Sequence, residues 1–395
     1  MRTLKYHQGF SPTMVALTLL MTVKNEETAL KRALPSIAPF LSSYCIGVDN
    51  KTTDNTKEVI SKIMEEHKVP GITFDSPWHE SFADARNQVL MMAEGLTPEV
   101  SSHCIWMDAD HTFSFSPNND WDSFTKVLES AQPMCHVTIR NGNFNHRLPW
   151  LITRDSDGKL PYLWKGVLHE FQQYEGKSRV LDTSLAESVP ITLHHYYDGN
   201  ARPKGKLLYS RDVEMLLNAL QHERDEGMIA RYVFYLANSY KDAGDKENAT
   251  IWYRVRCMLG RWDQEIYESL LSIGNMNEDL EALKRAIEVC PTRPDAYYHA
   301  LWFARQKENH RWMREIIGVY EEKFGEPTEE RPFSNQGGLF VDDAKLWKVD
   351  DELSQAYYWA KENKEMAMLH SNRALKDCNS PGNEKRITGN QSFFE

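Results

Sequence analysis

The sequence lacks an apolar run long enough to cross a membrane. Its longest apolar stretch near the start, from Met14 to Val23, falls well short of the about 20 residues that a transmembrane helix needs. Arg2 and Lys5 precede it, as in a secretory signal, but it continues directly into charged residues without a small-residue cleavage site. We therefore predict that this stretch is the first buried strand of a cytoplasmic protein.

The sequence also lacks an excess of basic residues and any closely spaced pair of cysteines. Lysine and arginine number 46 against 57 aspartates and glutamates, and this net charge of -11 argues against a general nucleic-acid binder. The six cysteines include no CxxC pair and several lie in apolar runs, so we expect buried, reduced thiols rather than disulfides or zinc ligands. No HExxH motif is present, which disfavours a zinc hydrolase.

What the sequence does contain is typical of a globular protein. Hydrophobic residues make up 41% and aromatic residues 11% of the 395 residues, enough for two or three domains of ordinary size. In the first 200 residues, short apolar runs alternate with helical patterns, which predicts an α/β fold with a Rossmann-like sheet and helices on both faces. The predicted strands are residues 15–23, 44–48, 72–74 and 104–107, and the predicted helices are residues 27–41, 56–67 and 81–94.

Beyond Asp110 the pattern changes twice. Further β segments, predicted at residues 134–139, 147–152, 162–167, 179–181 and 189–195, indicate that the parallel sheet becomes mixed. A turn-rich break at residues 199–203 then separates this region from a helical half, so we predict domains at residues 1–200 and 201–395.

The helical half is predicted to be an all-α array of helix pairs. Residues 230–260 fit the tetratricopeptide (TPR) pattern, whose small, apolar and aromatic positions are taken by Leu236, Ala237, Tyr240, Ala249 and Tyr253. Two more pairs are predicted at residues 294–324 and 352–375, with a loop at residues 325–349. Because such pairs bury their faces only against neighbours, a solenoid is favoured over an arbitrary bundle. This half could bind a partner molecule or assemble the chain into a homo-oligomer.

The most informative motif is Asp108-Ala109-Asp110, which follows the apolar run at residues 104–107. Residues i and i+2 of an extended segment point the same way, so both carboxylates are expected on one side of the strand end. The carboxyl ends of strands are where open α/β sheets bind ligands. Two carboxylates there suit a divalent cation and, through it, a diphosphate.

Three other polar segments are predicted to reach the same edge of the sheet. They are residues 22–27 after the first strand, residues 49–56 after the second, and residues 81–87 at the start of the third helix. Each segment alone is explained equally well as a turn, a helix cap or a solvated helix surface. Their joint order and spacing make the pattern specific.

Together these segments resemble the family 2 nucleotide-sugar glycosyltransferases of the GT-A fold. The motifs are Lys24-Asn25-Glu26-Glu27, Val48-Asp49-Asn50 with Thr53-Asp54-Asn55-Thr56, Phe82-Ala83-Asp84-Ala85-Arg86-Asn87, and Asp108-Ala109-Asp110. The resemblance covers about the first half of the chain, and the helical half is similar to the tetratricopeptide extensions of some members. It implies a metal-dependent, inverting transfer of a hexose from a nucleotide sugar, most naturally a UDP-sugar, to a protein or glycan acceptor.

The resemblance also implies which residues bind the donor nucleotide. Asp49 would accept a hydrogen bond from the base, most naturally the N3-H of uracil. Thr22, Asn25 and Glu27 would lie against the nucleoside. Arg86 would reach the ribose or the diphosphate, where a guanidinium fork suits phosphate.

The metal ligands implied by the resemblance are carboxylates and a histidine. Asp108 would approach the ribose hydroxyls and the metal shell, and Asp110 would ligate Mn2+ or Mg2+ directly. His169, in a segment that resembles the hydrophobic-His-Glu motif of related members, is the candidate third ligand. His194 and His195 are the alternative, and because neighbouring strand residues face opposite ways only one of them could enter the site.

An inverting transfer also needs a carboxylate that takes the proton of the acceptor. Many family members present it in a Glu-Asp pair at a helix start, and this chain has no clear copy of that pair after residue 120. Glu170, Asp155 and Asp157 are the candidates in that order, although the last two are also typical turn residues.

Two other classes of function compete with this interpretation. In a helical-repeat scaffold with an inactive nucleotide-sugar-binding domain, aromatic residues would line a peptide-binding face, at Trp252-Tyr253, Tyr297-Tyr298 and Trp302-Phe303. The same aromatics equally suit packing between repeats. A phosphohydrolase would use Asp-x-Asp as nucleophile and acid, but such folds usually place that motif after the first strand, and here three predicted strands precede it.

Overall fold

The computed structural model describes residues 15–97, 101–129, 133–142, 144–176, 188–199, 206–334 and 344–395. The chain divides into two compact units, Met1–Leu208 and Tyr209–Glu395. Residues 200 and 201, between which the domain boundary is predicted, lie outside the described residues, so that boundary stays a prediction.

The first unit is built on a β-sheet with helices between its strands. Its strands are β1 (Leu17–Val23), β2 (Ser43–Val48), β3 (Gly71–Asp75), β4 (His103–Trp106), β5 (His111–Phe115), β6 (Met134–Asn141), β7 (Phe144–Thr153), β8 (Tyr162–Lys165), β9 (Phe171–Tyr174) and β10 (Ser188–His195). Its helices are α1 (Glu27–Ile37), α2 (Thr56–Glu66), α3 (Phe82–Glu94) and α4 (Trp121–Glu129), with a short 3-10 helix at Ala38–Phe40.

The main sheet of the described residues has eight strands in the order β3-β2-β1-β4-β7-β6-β10-β5. Strands β1 to β4 run parallel, β7 runs antiparallel to β4 and β6, and β10 pairs parallel with β6 and antiparallel with β5. Strands β8 and β9 form a separate antiparallel pair. The predicted α/β fold with a mixed sheet is confirmed.

The burial of these strands follows their sequences. The apolar runs of β1 and β2 are buried almost throughout, as central parallel strands require, whereas β3 at the edge alternates between exposed and half-buried residues. Elements β5, β9 and α4 are not anticipated by the sequence patterns. Strand β5 follows the Asp-x-Asp motif with no glycine or proline to mark it, and β9 has only four residues. The β segment predicted at residues 179–181 lies outside the described residues.

The second half of the chain is helical, as predicted. Its helices are α5 (Lys206–His222), α6 (Glu226–Ala243), α7 (Lys246–Met258), α8 (Asp263–Asn277), α9 (Leu280–Val289), α10 (Pro294–Gln306), α11 (His310–Phe324), α12 (Ala344–Lys361), α13 (Lys364–Asp377) and α14 (Pro381–Phe394). No helix among the described residues is both long enough and apolar enough to cross a membrane.

Helices α6 and α7 form the pair that the tetratricopeptide pattern predicts. Leu236, Ala237, Ala249 and Tyr253 are fully buried, and Gly244 ends α6 with a φ of 86°, in the left-handed region that favours glycine. The pairs α10–α11 and α12–α13 also match the prediction. The predicted loop at residues 325–349 is too long, because α12 begins earlier, at residue 344.

Candidate functional site

The Asp-x-Asp motif forms a tight turn at the carboxyl end of β4. The backbone N–H of His111 donates to the carbonyl oxygen of Asp108 (3.1 Å), and the N–H of Asp108 donates to Nδ1 of His111 (3.2 Å). The motif is therefore a turn and not the extended segment that was expected. The turn aims Asp108 and Asp110 at different partners.

Asp110 lies beside two histidines. Among the described residues, Asp110, His111 and His195 form a group whose potential ligand atoms all lie within 4.8 Å of one another. Oδ2 of Asp110 is 3.0 Å from Nε2 of His195, at the end of β10. Its neighbour His194 faces the other way and meets the hydroxyl of Ser114 at 2.8 Å. Of the two adjacent histidines, the structure brings His195 to Asp110.

The two imidazoles have different environments. The second ring nitrogen of His195, Nδ1, lies 3.0 Å from Oδ1 of Asn141, at the end of β6. The hydrogen bond to Asp110 raises the pKa of His195. Burial lowers the pKa of His111, whose side chain is almost inaccessible to water. His195 therefore has an oxygen partner on each nitrogen, an arrangement in which Asn141 orients the ring.

Asp108 belongs to a second cluster, centred on Arg86 of α3. The guanidinium donates to Oδ1 of Asp108 (3.1 Å) through Nη2 and to Oε1 of Glu170 (2.9 Å) through Nε. It also lies within about 5 Å of three indole rings, at 5.2, 5.3 and 4.7 Å from the centroids of Trp106, Trp150 and Trp164. Burial by itself would lower the pKa of Arg86, but the two carboxylates more than offset it and raise the pKa.

Helix α3 positions this cluster through its first two turns. Ser81 caps the helix by accepting a hydrogen bond from the N–H of Asp84 (3.1 Å). The amide of Asn87 both donates to and accepts from the backbone of Trp164, at 2.9 and 2.8 Å. The N–H of Phe82 donates to the carbonyl of residue 167. These bonds fix the segment that carries Glu170 against the helix that carries Arg86.

The loops after β1 and β2 are joined by side-chain hydrogen bonds. Oδ1 of Asn25, which has a φ of 54°, accepts from the N–H of Thr53 (2.7 Å). Oδ2 of Asp54 accepts from the N–H of Glu27 (3.0 Å), and the carboxylate of Glu27 accepts from the side chain of Asn55 (3.0 Å). Asn25 and Glu27, proposed for the nucleoside, thus belong to two loops that are joined by hydrogen bonds.

Asp49 lies at the mouth of these loops, at the end of β2. Oδ1 accepts from the backbone N–H of Lys51 (2.7 Å), and Oδ2 pairs with Nζ of Lys24 (3.0 Å). Thr22, near the end of the adjacent strand β1, is half-buried. Because a carboxylate offers about four lone-pair positions, Asp49 can accept a further hydrogen bond from a ligand.

The structure does not bring Asp155 and Asp157 to this edge. Thr153, at the end of β7, pairs with His103 at the start of β4, so Asp155 lies at the amino edge of the parallel strands, roughly 20 Å from the Asp-x-Asp turn. Its carboxylate accepts the backbone N–H groups of Asp157 and residue 159, which makes both acids turn residues. His169 is exposed and is not a member of the Asp110 group. Its role as a ligand stays a prediction.

Three residues of the site carry no predicted role. His111 directly follows the Asp-x-Asp motif, and Lys24 opens the Lys-Asn-Glu-Glu motif, so their neighbours could have pointed to them. Asn141 offers no local signal, because only the pairing of β6 with β10 brings it to His195.

One carboxylate and two imidazoles are a suitable ligand set for a divalent transition metal. Mn2+ accepts oxygen and nitrogen ligands, whereas Mg2+ prefers an octahedral shell of oxygen atoms. His195 fits this use well, because metal-bound histidines usually donate their second nitrogen to an oxygen such as that of Asn141.

A comparison with models of known protein families agrees with the order of the motifs. Residues 18–121 match the family model described as "Glycosyl transferase family 2", a range that contains all four motifs. Two similar solved structures are those of S. aureus TarS 1–349, alone (TM-score 0.33) and in complex with UDP (TM-score 0.29). Each has 12% identity and covers 78% of this chain and 92% of the other. A kinesin light chain with nearly identical TPR-like repeats, from Podospora anserina, has 11% identity and a TM-score of 0.30. The match covers 44% of this chain and 89% of the kinesin light chain structure. No curated protein sequence matches the chain.

Proposed function

The chain carries a family 2 glycosyltransferase domain, and from that premise we propose that it is a cation-dependent, inverting hexosyltransferase. The donor would be a nucleotide sugar, preferably of UDP, and the acceptor a protein or a glycan. The observation that most directly supports the proposal is the group of Asp110, His111 and His195 at the carboxyl edge of the sheet, beside Asp108.

Asp110, His111 and His195 would hold the cation, and Asp108 would face the ribose. Nitrogen and oxygen ligands together favour Mn2+ over Mg2+. The chemistry that a divalent cation supplies at such a site is neutralisation of the charge on the departing nucleoside diphosphate. The surrounding protein is acidic, so the diphosphate would otherwise face repulsion from these carboxylates.

The nucleoside would lie against the joined loops after β1 and β2. Asp49 would accept the N3-H of uracil with the lone pairs that Lys24 and the backbone leave open. Hydrogen bonds of Asn25 and Glu27 hold the loops in place before the donor arrives, which reduces the conformational entropy lost on binding.

Glu170 is the residue we propose as the base that takes the acceptor's proton. Its carboxylate is largely buried and is fixed by Arg86, which also fixes Asp108 on the donor side. A carboxylate held at one position relative to the donor can meet an acceptor hydroxyl in line with the anomeric carbon.

The proposal can be tested with a panel of UDP-sugars and Mn2+, by following the release of UDP. We expect slow hydrolysis of one donor by the wild-type protein. Asp110→Asn, which removes a charged ligand but keeps the shape, should lower this rate about a hundredfold or more. Asp122→Asn, at an exposed position of α4, is the matched control and should leave the rate unchanged.

Binding measurements separate this proposal from the scaffold alternative. Calorimetry should detect binding of at least one UDP-sugar in the presence of Mn2+. If no nucleotide sugar binds with or without metal, the enzyme proposal fails, and the helical-repeat scaffold becomes the better account of the chain.

A further inference from the structure

The segment after β10 lies directly against the proposed cation site. We call residues Tyr196–Gly199 the strap. The backbone N–H of Tyr196 donates to the carbonyl oxygen of Asp110 (3.0 Å), so the strap begins with a bond to the Asp-x-Asp turn itself. No resemblance or motif in the sequence assigns these four residues a part in binding or catalysis.

Tyr197 covers His195. Its ring lies 4.0 Å from the imidazole, centroid to centroid, with an angle of 33° between the two planes. Its φ is 57°, in the left-handed region that residues with bulky side chains rarely adopt. The residue is nevertheless 64% exposed, so burial does not explain this backbone conformation. Backbone of this kind persists only where the surrounding contacts impose it, and such positions concentrate at functional sites.

Gly199 brings the backbone onto Asp110. A β-carbon at residue 199 would lie 3.1 Å from Oδ2 of Asp110 and 3.4 Å from Oε1 of Glu26. Contacts that short would force the carboxylate of Asp110 to shift. The strap therefore bounds Asp110 and His195 on one side, and its position determines the space left for a cation.

Arg32 of α1 holds the strap in this position. Its guanidinium donates to both carboxylate oxygens of Asp198, at 2.6 and 2.7 Å, and its central carbon lies 4.0 Å from the centroid of the Tyr196 ring. A bidentate bond of this kind has a defined geometry as well as a charge. It joins residues 166 positions apart in the sequence.

Helix α1 does not need this ion pair for its own packing. The helix contributes Ala29, Leu30, Ala33, Leu34 and Ile37 to the core, whereas Arg32 lies on its partly exposed side. Loss of Arg32 should therefore change the strap without unfolding the unit.

We propose that Arg32 is a positioning residue, which holds the strap against Asp110 and His195 through Asp198 and thereby sets how tightly the site binds its cation. The effect of Arg32 on cation binding rests on the proposed function. Its effect on the position of the strap does not. The two parts can be measured separately.

The test uses Arg32→Met, which keeps most of the apolar stem and removes the charge. Hydrogen exchange in peptides that contain residues 196–199 should accelerate about tenfold, and the dissociation constant for Mn2+, followed by electron paramagnetic resonance, should rise about fivefold. The ammonium group of Arg32→Lys can donate to Asp198 but cannot form a bidentate pair. Its exchange rate and its dissociation constant for Mn2+ should therefore lie between those of the wild type and of Arg32→Met. The swap Arg32→Asp with Asp198→Arg should restore both values towards those of the wild type.

Lys57→Met is the matched control, because it breaks another ion pair of the same unit. Nζ of Lys57 lies 2.5 Å from the carboxylate of Asp75, which is at the end of β3. This substitution should alter neither hydrogen exchange in the strap nor the affinity for Mn2+. The melting temperatures of Lys57→Met and Arg32→Met should both stay close to that of the wild type. Unchanged exchange in Arg32→Met would overturn the role of Arg32. Faster exchange with unchanged Mn2+ affinity would overturn its effect on the site. If Mn2+ binds the wild type no better than Asp110→Asn, the proposed cation site itself fails, whatever the exchange shows.

Discussion

Arg86 is the residue that links the two sides of the proposed reaction. It is buried among three tryptophans and is bonded to Asp108, which we propose faces the donor, and to Glu170, which we propose faces the acceptor. An arginine enclosed in this way needs carboxylate partners, because an unpaired buried charge is strongly destabilising. The expected role of Arg86 as a ligand of the ribose or the diphosphate stays a prediction. In the structure its guanidinium holds the two carboxylates of Asp108 and Glu170.

A Glu170→Gln variant tests the base. The amide keeps the size of the side chain and an oxygen that can accept from Nε of Arg86, but it cannot take a proton. We expect kcat for transfer to fall by about 10^2 to 10^4, with the donor KM changed by less than about twofold. Steady-state kinetics with a saturating acceptor measures both quantities.

Glu175→Gln, at an exposed position just after β9, is the control and should behave as the wild type. A Glu170→Gln enzyme that retains most of its kcat would show that the carboxylate only positions Arg86. The base would then have to be sought elsewhere.

At the scale of the element, α12 carries three consecutive buried acids. Asp350, Asp351 and Glu352 are each less than 6% exposed, and each pairs with basic residues of other elements. Their partners are Arg331, His370 and Arg373 for Asp350, Arg386 of α14 for Asp351, and Arg305 of α10 for Glu352. Three successive helix positions face different directions, so one short segment connects α12 to several neighbours. These ion pairs explain why a helix with acids at its centre lies inside an array of helices.

We expect Asp350→Asn to destabilise the second unit by about 3–5 kcal/mol. The substitution leaves Arg331 and Arg373 beside an uncharged amide at a position where the carboxylate is fully buried. Urea denaturation followed by circular dichroism gives the free energy of unfolding. Glu365→Gln, exposed in the first turn of α13, should change it by less than about 0.5 kcal/mol. Equal effects of the two variants would mean that the buried network adds no stability.

At the scale of the whole molecule, partly buried histidines make stability depend on pH. Burial lowers the pKa of His103, in β4, to about 4, and that of His299, in α10, to about 3. The unfolded chain protonates these groups near their ordinary pKa of about 6.5. Between pH 6.5 and 4 the unfolded state therefore binds protons that the folded state does not. The free energy of unfolding should fall as the pH drops through this range.

The measurement is urea denaturation at several pH values from 7.5 to 5. Each such histidine contributes a loss of up to about 1.4 kcal/mol per pH unit below 6.5. His103→Gln should make the slope for the first unit less steep, whatever it does to stability at pH 7.5. His67→Gln, at an exposed position after α2, serves as the control and should keep the wild-type slope. An unchanged slope in His103→Gln would contradict the lowered pKa.

The sequence was a good guide to local structure and a poorer guide to side-chain partners. Strands β1 to β4, helices α1 to α3 and the helix pairs of the second half follow from apolar periodicity and caps, which are local. The partners of Arg86 and His195 do not follow from them. Glu170 lies 84 positions from Arg86 and Asp110 lies 85 positions from His195, distances at which no periodicity connects two residues.

By itself, the sequence determined that an α/β unit precedes a helical one, that acids and amides end the parallel strands, and that Asp108 and Asp110 lie at the carboxyl end of β4. Only the tertiary structure decided that Asp110 meets His195, that Asp155 lies at the opposite edge, and that Arg32 fastens residue 198 beside the site. The physical reason is that hydrophobic periodicity is a property of neighbouring residues, whereas strand order and direction arise when the whole sheet packs. In this protein the antiparallel return of β7 and the parallel addition of β10 to β6 decide which side chains meet.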